Sequence, residues 1–363
     1  MTVGYFCATP LHIINAVNML LTVDKESQAD IFVYNHFADA KRIVECLEKT
    51  GLFKRCVYLD ENVNSVKAKL KRVLHSFRPC REIREIAWGK FRYNKAVFFS
   101  LDQLTMTYLI KKGPQCSFYY GEDGLGSYIN PKLYIPQKER DIMLKVTGRK
   151  KYLELVKGLY VHNPELLIAN REFKAEKIDE IDFSGGEMKR VLEILWPLED
   201  NISSDRDVLY FEEPVSEIFK TDAFDIEQKL TGYLKEAFGA DKFYVKKHPR
   251  MAGVSASEEL ALKCNAPFER IMGLWDLDKT VLISVICTAA LQPTLLCGKN
   301  PIMIFLYKMI IDEGNPLYAI WEEFFSKFRE LYGSQLTLLL PACEQELKES
   351  IAEAVKIKHN KVL

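Results

Sequence analysis

Five short runs rich in β-branched and aromatic residues, at 3–7, 30–34, 56–59, 96–99 and 117–120, are separated by stretches with apolar residues at helical spacing. The separating stretches are 11–21, 38–50, 63–75 and 103–111. No other feature limits the fold as strongly. Strands joined through helices pair side by side in parallel, with the helices covering the faces of the sheet, so the first half of the chain is predicted to be doubly wound. A polar stretch at 198–206 breaks the pattern and reads as a linker between domains. A second α/β pattern follows, with strands at 208–211, 243–246, 281–285 and 302–305 and helices at 226–237, 288–296 and 344–357. A chain of 363 residues with 48% apolar content can bury two cores of ordinary size, placed at 1–197 and 207–363.

Composition excludes several classes of function. Lys plus Arg and Asp plus Glu each number 50, so the whole-molecule field gives no general reason to bind nucleic acid. The nine cysteines are scattered and never spaced C-x-x-C, which fits a reduced, cytosolic chain rather than a disulfide framework or a zinc site. The first strand-like run begins at Val3 without a basic, then apolar, leader, so no secretion signal is read. The longest apolar stretches, such as 289–297, fall short of the roughly 20 residues that a membrane helix needs. Between 66 and 95, ten Lys or Arg residues stand against two acids, Glu82 and Glu85. Such a surface could lie on an anionic membrane or hold an anionic acceptor. The plainer reading, a solvated helix pair whose apolar face joins the core, is favoured.

Four short segments carry chemistry. Gly121-Glu122-Asp123-Gly124 follows the run at 117–120, so strand, tight turn and carboxylates come in that order. A carboxylate there could take a proton from an attacking hydroxyl, or could simply cap the next helix. Lys246-Lys247-His248-Pro249-Arg250 ends the run at 243–246, and a protonated His248 could assist a departing phosphate. The run at 281–285 leads through Ser284, Cys287 and Thr288 into a helical pattern. That is either an anion site at a helix start or a plain cap at Thr288. In Pro267-Phe268-Glu269, the carboxylate could accept both hydroxyls of a ribose.

Two Rossmann-like domains facing across a cleft describe the GT-B architecture of nucleotide-sugar glycosyltransferases. Glu122-Asp123-Gly124 and His248-Pro249, in this order and separation, resemble the D/E-D/E-G and H-P motifs of bacterial sialyltransferases. The opening Tyr5-Phe6-Cys7-Ala8-Thr9-Pro10-Leu11-His12 is similar to the strand and T-P-L turn that begin glycosyltransferase family 52, the lipooligosaccharide and capsule sialyltransferases. The resemblance implies a metal-independent, inverting transfer of sialic acid from CMP-sialic acid to a terminal galactose, with no cofactor. It implies that His248 protonates or hydrogen-bonds the leaving CMP phosphate while Ser284 and Thr288 hold it; Lys247 and Cys287, their sequence neighbours, are further candidates for binding the donor. Glu122 is the first choice of base, with Asp123, Gly124, Thr9 and Pro10 on the acceptor side. Part of the family draws its base from the loop after the first strand of the second domain, which here offers Glu213 or Glu217. The family pattern often has serine where this chain has Cys287. A homodimer is a further implication. Some relatives carry a membrane anchor before the first strand that is not read here, so the cytoplasmic reading stands with peripheral contact at the inner membrane face left open.

Three other readings compete. The triplets Asp205-Arg206-Asp207 and Asp276-Leu277-Asp278 could hold a metal-bound nucleotide diphosphate. A glycosyltransferase of the same fold could use another nucleotide sugar, or the chain could be an epimerase or hydrolase, because fold does not fix function. A non-catalytic polysaccharide-assembly protein would keep the fold without the acid and base.

Overall fold

The computed structural model describes residues 1–60, 81–88, 93–99, 109, 115–129, 156–171, 173–198, 208–213, 224–247, 262, 264 and 266–362. The chain divides into two compact units. The first is Met1–Ile181 with Gly185–Trp196, and the second is Asp182–Ser184 with Pro197–Leu363.

In the first unit the described residues form a seven-stranded sheet of β1 (Thr2–Cys7), β2 (Gln28–Tyr34), β3 (Arg55–Leu59), β4 (Lys95–Phe98), β5 (Ser117–Gly121), β6 (Val156–Val161) and β7 (Ala175–Lys177). The order is β3-β2-β1-β4-β5-β6-β7 and every neighbouring pair is parallel. The direction of winding therefore reverses between β1 and β4, which is where open α/β sheets present their ligand crevice. The helices are α1 (Pro10–Thr22), α2 (Ala40–Thr50), α3 (Arg81–Trp88), α4 (Gly126–Ile129) and α5 (Gly186–Leu195). Three phenylalanines share one rung at the reversal. Phe6 pairs in register with Phe32 on one side and Phe98 on the other. Their rings stack at 4.6 and 4.4 Å, fully buried.

β1 feeds α1 through a short turn with a clear local cause. The Thr9 hydroxyl accepts the His12 amide at 3.3 Å, and Pro10, which has no amide hydrogen to satisfy, takes the first helical position. α2 stops at Gly51, whose φ of +70° suits a residue without a side chain.

The second unit has a five-stranded parallel sheet of β8 (Val208–Phe211), β9 (Phe243–Lys246), β10 (Val281–Ser284), β11 (Ile302–Phe305) and β12 (Thr337–Leu339), in the order β12-β11-β10-β8-β9. Its reversal lies between β8 and β10. The helices are α6 (Phe224–Phe238), α7 (Phe268–Met272), α8 (Thr288–Cys297), α9 (Tyr307–Ile310), α10 (Pro316–Tyr332) and α11 (Glu344–Val362). All nine strands read from the sequence are present, within one or two residues. The pattern did not reveal β6, β7, β12, α5 or α10. The helix expected at 63–75, most of that at 103–111, and the linker at 198–206 apart from Leu198 lie outside the described residues, as does most of the basic stretch at 66–95. Among the described residues no helix is long and apolar enough to cross a membrane.

Candidate active site

In the first unit the turns after β1, β4, β5 and β6 bring a polar group together at the carboxyl end of the sheet. Glu122 and Asp123 leave β5 side by side and part at once. Glu122 is 1% exposed, whereas the Asp123 side chain is 33% exposed. Gly124 turns the chain at φ +64°, a conformation that costs an L-residue about 1–2 kcal/mol, so the third position of E-D-G has a steric reason to be glycine. The Asp123 amide then donates to Ser127 Oγ at 2.7 Å, which fixes the start of α4.

Glu122 points inward. Its Oε2 accepts the Tyr128 hydroxyl at 2.5 Å and the His162 amide at 2.8 Å, and its carbonyl accepts Asn15 Nδ2 at 3.2 Å. Burial lifts its pKa from 4.5 to about 7, against the two hydrogen bonds, and the neighbouring Asp123 charge adds to the rise. The His162 ring is buried beside it, with Nε2 at 3.1 Å from Asn15 Oδ1. The amide oxygen can only accept, so Nε2 carries the proton. Desolvation holds the His162 pKa down at about 3, with the Asp179 carbonyl pulling weakly the other way. His162 Nδ1 makes no hydrogen bond among the described residues.

Asp123 meets a different partner. Its Oδ1 lies 2.6 Å from His12 Nε2, and the His12 ring is 1% exposed. The Ala8 amide donates to His12 Nδ1 at 3.1 Å, and the ring stacks on Phe99 at 5.2 Å with a 17° interplanar angle. Phe99 has room there because position 121 is glycine; a Cβ on Gly121 would lie 2.2 Å from its ring. Asp123 Oδ2 has no partner among the described residues. A cavity of about 20 Å³, the size of one water, is lined by Asp123 together with Gly121, Ser127, Asn170, Phe99 and Phe173 among others.

The second unit gathers its own polar set at the reversal of its sheet. Glu213, two residues past β8, is 6% exposed, and its Oε2 accepts the Ile286 amide at 2.8 Å in the turn after β10. Ser284 Oγ accepts the Cys287 amide at 3.0 Å in the same turn. Cys287, not Thr288, holds the cap position of α8, and Thr288 is its first residue. Desolvation pushes the Cys287 thiol up, and the Glu213 and Glu269 carboxylates add to this, so it stays a thiol at neutral pH. Glu269 is the second residue of α7, which Pro267 caps; it is 5% exposed, with Oε1 accepting Gln292 Nε2 at 2.7 Å. Burial raises the Glu269 pKa, and burial lowers that of Lys246, whose Nζ donates to the carbonyls of Cys264 and Ala266 at 3.1 and 2.9 Å.

The structure thus brings Glu122 and Asp123 together with Thr9 and Pro10 in one unit, and Glu213, Glu269, Ser284, Cys287 and Thr288 within the other. Lys247 directly follows β9. His248, Pro249 and Glu217 lie outside the described residues, as does the whole first D-x-D triplet, Asp205, Arg206 and Asp207. In the second triplet, Asp276 is 3.0 Å from Lys279 Nζ, and Asp278 accepts from the Asn300 amide at 2.7 Å. Sequence reasoning missed the roles of His12, Asn15, Tyr128, His162 and Gln292. Only His12 carried a signal, in the third place of a helix that starts straight after a strand.

The sequence matches no protein-family model and no curated protein. Solved structures do match. The GT-B domain of a sialyltransferase from Photobacterium damselae superposes with a TM-score of 0.50 at 11% identity, over 94% of this chain and 100% of that one. This chain has the GT-B fold. A UDP-GlcNAc 2-epimerase from Neisseria meningitidis gives a TM-score of 0.47 at 11% identity over 100% and 99% of the two chains. The glycosyltransferase of kitacinnamycin gives 0.45 at 12% identity over 99% and 95%.

Proposed function

We propose that the chain is a glycosyltransferase that moves a sugar from a nucleotide donor to an acceptor hydroxyl, with Asp123 as the general base. One observation carries this reading. At the ligand-binding end of a Rossmann-like sheet, a partly exposed carboxylate has one oxygen held by a buried histidine and the other unpartnered among the described residues. Asp123 takes the role first assigned to Glu122, because Glu122 is buried and its Oε2 is occupied by Tyr128 and the His162 amide. Glu122 then holds the turn. Glu213 is committed to the turn after β10, which favours a part in shaping the donor site over one as base.

The donor in this reading is CMP-sialic acid and the acceptor a terminal galactose of a surface glycan, as in glycosyltransferase family 52. The order of the E-D-G and H-P motifs supports that choice. The acceptor oxygen attacks the anomeric carbon, its proton passes to Asp123 Oδ2, and the bond from that carbon to the phosphate oxygen breaks with inversion. CMP leaves, its phosphate assisted by His248. A donor with a single phosphate departs without a bridging metal. In the second unit, the amides at the start of α8 and the Glu269 carboxylate are suited to phosphate and ribose.

The test is CMP release from CMP-sialic acid with and without lactose, in EDTA. Acceptor-dependent, chelator-insensitive release is expected, and Asp123→Asn should lower it on the order of 10²-fold or more, the usual scale of base catalysis. His248→Ala should lose most of the transfer. Release from a uridine donor alone would replace the donor assignment and keep the glycosyltransferase reading. Full activity in Asp123→Asn would remove Asp123 as base.

A further inference from the structure

We infer that His12 is the positioning residue of this site, a fixed, neutral hydrogen-bond donor that aims Asp123 at the acceptor. The inference rests on the proposed role of Asp123 and goes beyond it, by saying how the carboxylate is held and what its neighbour cannot do.

The histidine has a single tautomer open to it. Nδ1 accepts the Ala8 amide, so its lone pair is in use and the ring proton sits on Nε2. Nε2–H therefore donates to Asp123 Oδ1 at 2.6 Å. The ring has no freedom to leave. It is buried, it stacks on Phe99, and its own backbone amide is tied to Thr9 Oγ1. Asp123 lies 111 positions away in the sequence on a turn that is itself anchored through Ser127. The dyad thus fixes one carboxylate oxygen and leaves the other to point toward the acceptor.

The same geometry assigns a limit. A proton arriving on Asp123 cannot pass to His12, because the nitrogen facing Asp123 already bears one and the other nitrogen is filled by a backbone amide. His12 orients and does not relay. The proton waits on Asp123 until solvent removes it after CMP departs.

The experiment uses the full chain and four variants, followed by kcat and KM for CMP-sialic acid and lactose: His12→Ala, His12→Gln, Asp123→Asn and the Asp123→Asn/His12→Ala double. His12→Ala should lower kcat on the order of 10-fold or more, a share of what a general base supplies, while KM for CMP-sialic acid stays within about twofold. His12→Gln should recover most of that loss, since its amide oxygen can accept from Ala8 and its amide nitrogen can donate to Asp123. In the Asp123→Asn background, His12→Ala should cost little more, because residues acting as a unit are not additive. Circular dichroism and thermal unfolding of each variant separate loss of aim from loss of fold. Equal loss in Gln and Ala variants that are both folded would overturn the inference, as would independent, multiplying effects of His12 and Asp123. If the wild type transferred no sugar from any nucleotide donor, the functional reading would fail and take the inference with it. An active wild type with an inactive Asp123→Asn and an unaffected His12→Ala would remove the inference alone.

Discussion

Glu122→Gln should change the pH dependence of stability in a way that isolates two buried groups acting in opposition. The Glu122 pKa is raised from 4.5 to about 7, so the folded state holds this proton more tightly than the unfolded one. The stability linked to it is fully present below pH 4.5 and is lost as pH rises toward 7. For a fully buried group with that shift, the loss between pH 5 and pH 8 is about 2–3 kcal/mol. His162 works the other way. Its pKa is lowered from 6.5 to about 3, so its contribution is present above pH 6.5 and is lost on acidification, about 2 kcal/mol between pH 8 and pH 5. In the wild type the two nearly cancel. Gln resembles the protonated carboxyl, keeps an oxygen for the Tyr128 hydroxyl and the His162 amide, and cannot ionise. Urea unfolding should therefore show the variant gaining about 2–3 kcal/mol over the wild type in going from pH 5 to pH 8. The difference between the two profiles cancels every other titrating group. Parallel profiles would show that Glu122 does not titrate in this window and would refute the burial argument.

Other contacts set three further outcomes. Lys95 is 5% exposed with Nζ 2.8 Å from Asp24 Oδ2, which also accepts the Tyr5 hydroxyl, so Lys95→Ala should cost about 3–5 kcal/mol in chemical denaturation by stranding a buried carboxylate. Gly121→Ala should displace Phe99, cost about 1–3 kcal/mol from overpacking and weaken transfer through His12, read together by unfolding and kinetics. Glu213→Ala should strand the Ile286 amide and destabilise the second unit by about 1–3 kcal/mol, with Glu213→Gln much milder in the same assay.

The sheets were legible because parallel strands buried on both faces leave continuous apolar runs such as 302–305, all of them buried in the structure. β6 was not, because its sequence Val156–Val161 includes Lys157 and Gly158. The glycine answers to a contact invisible in one dimension, since a Cβ at 158 would lie 2.6 Å from the Lys174 carbonyl. The carboxylates were found as a pair, with Glu122 put first as base on no local signal that separates it from Asp123. Adjacent residues in a turn share their local signals, and only the three-dimensional placement of Tyr128 and the His162 amide decides that Glu122 goes inward. His12 and Asp123 were each quoted within separate motifs, yet nothing in either motif encodes a bond across 111 positions.

The missing side chain at 121 makes three positions answer to one another. Phe99 fills the space above Gly121 and presents its face to His12. A relative with a larger residue at 121 must carry a smaller one at 99, and its residue at 12 loses the aromatic surface that keeps the ring flat. The three should therefore be inherited and exchanged as a set. That covariation would mark distant relatives of this chain even where the acidic pair has drifted to other residues.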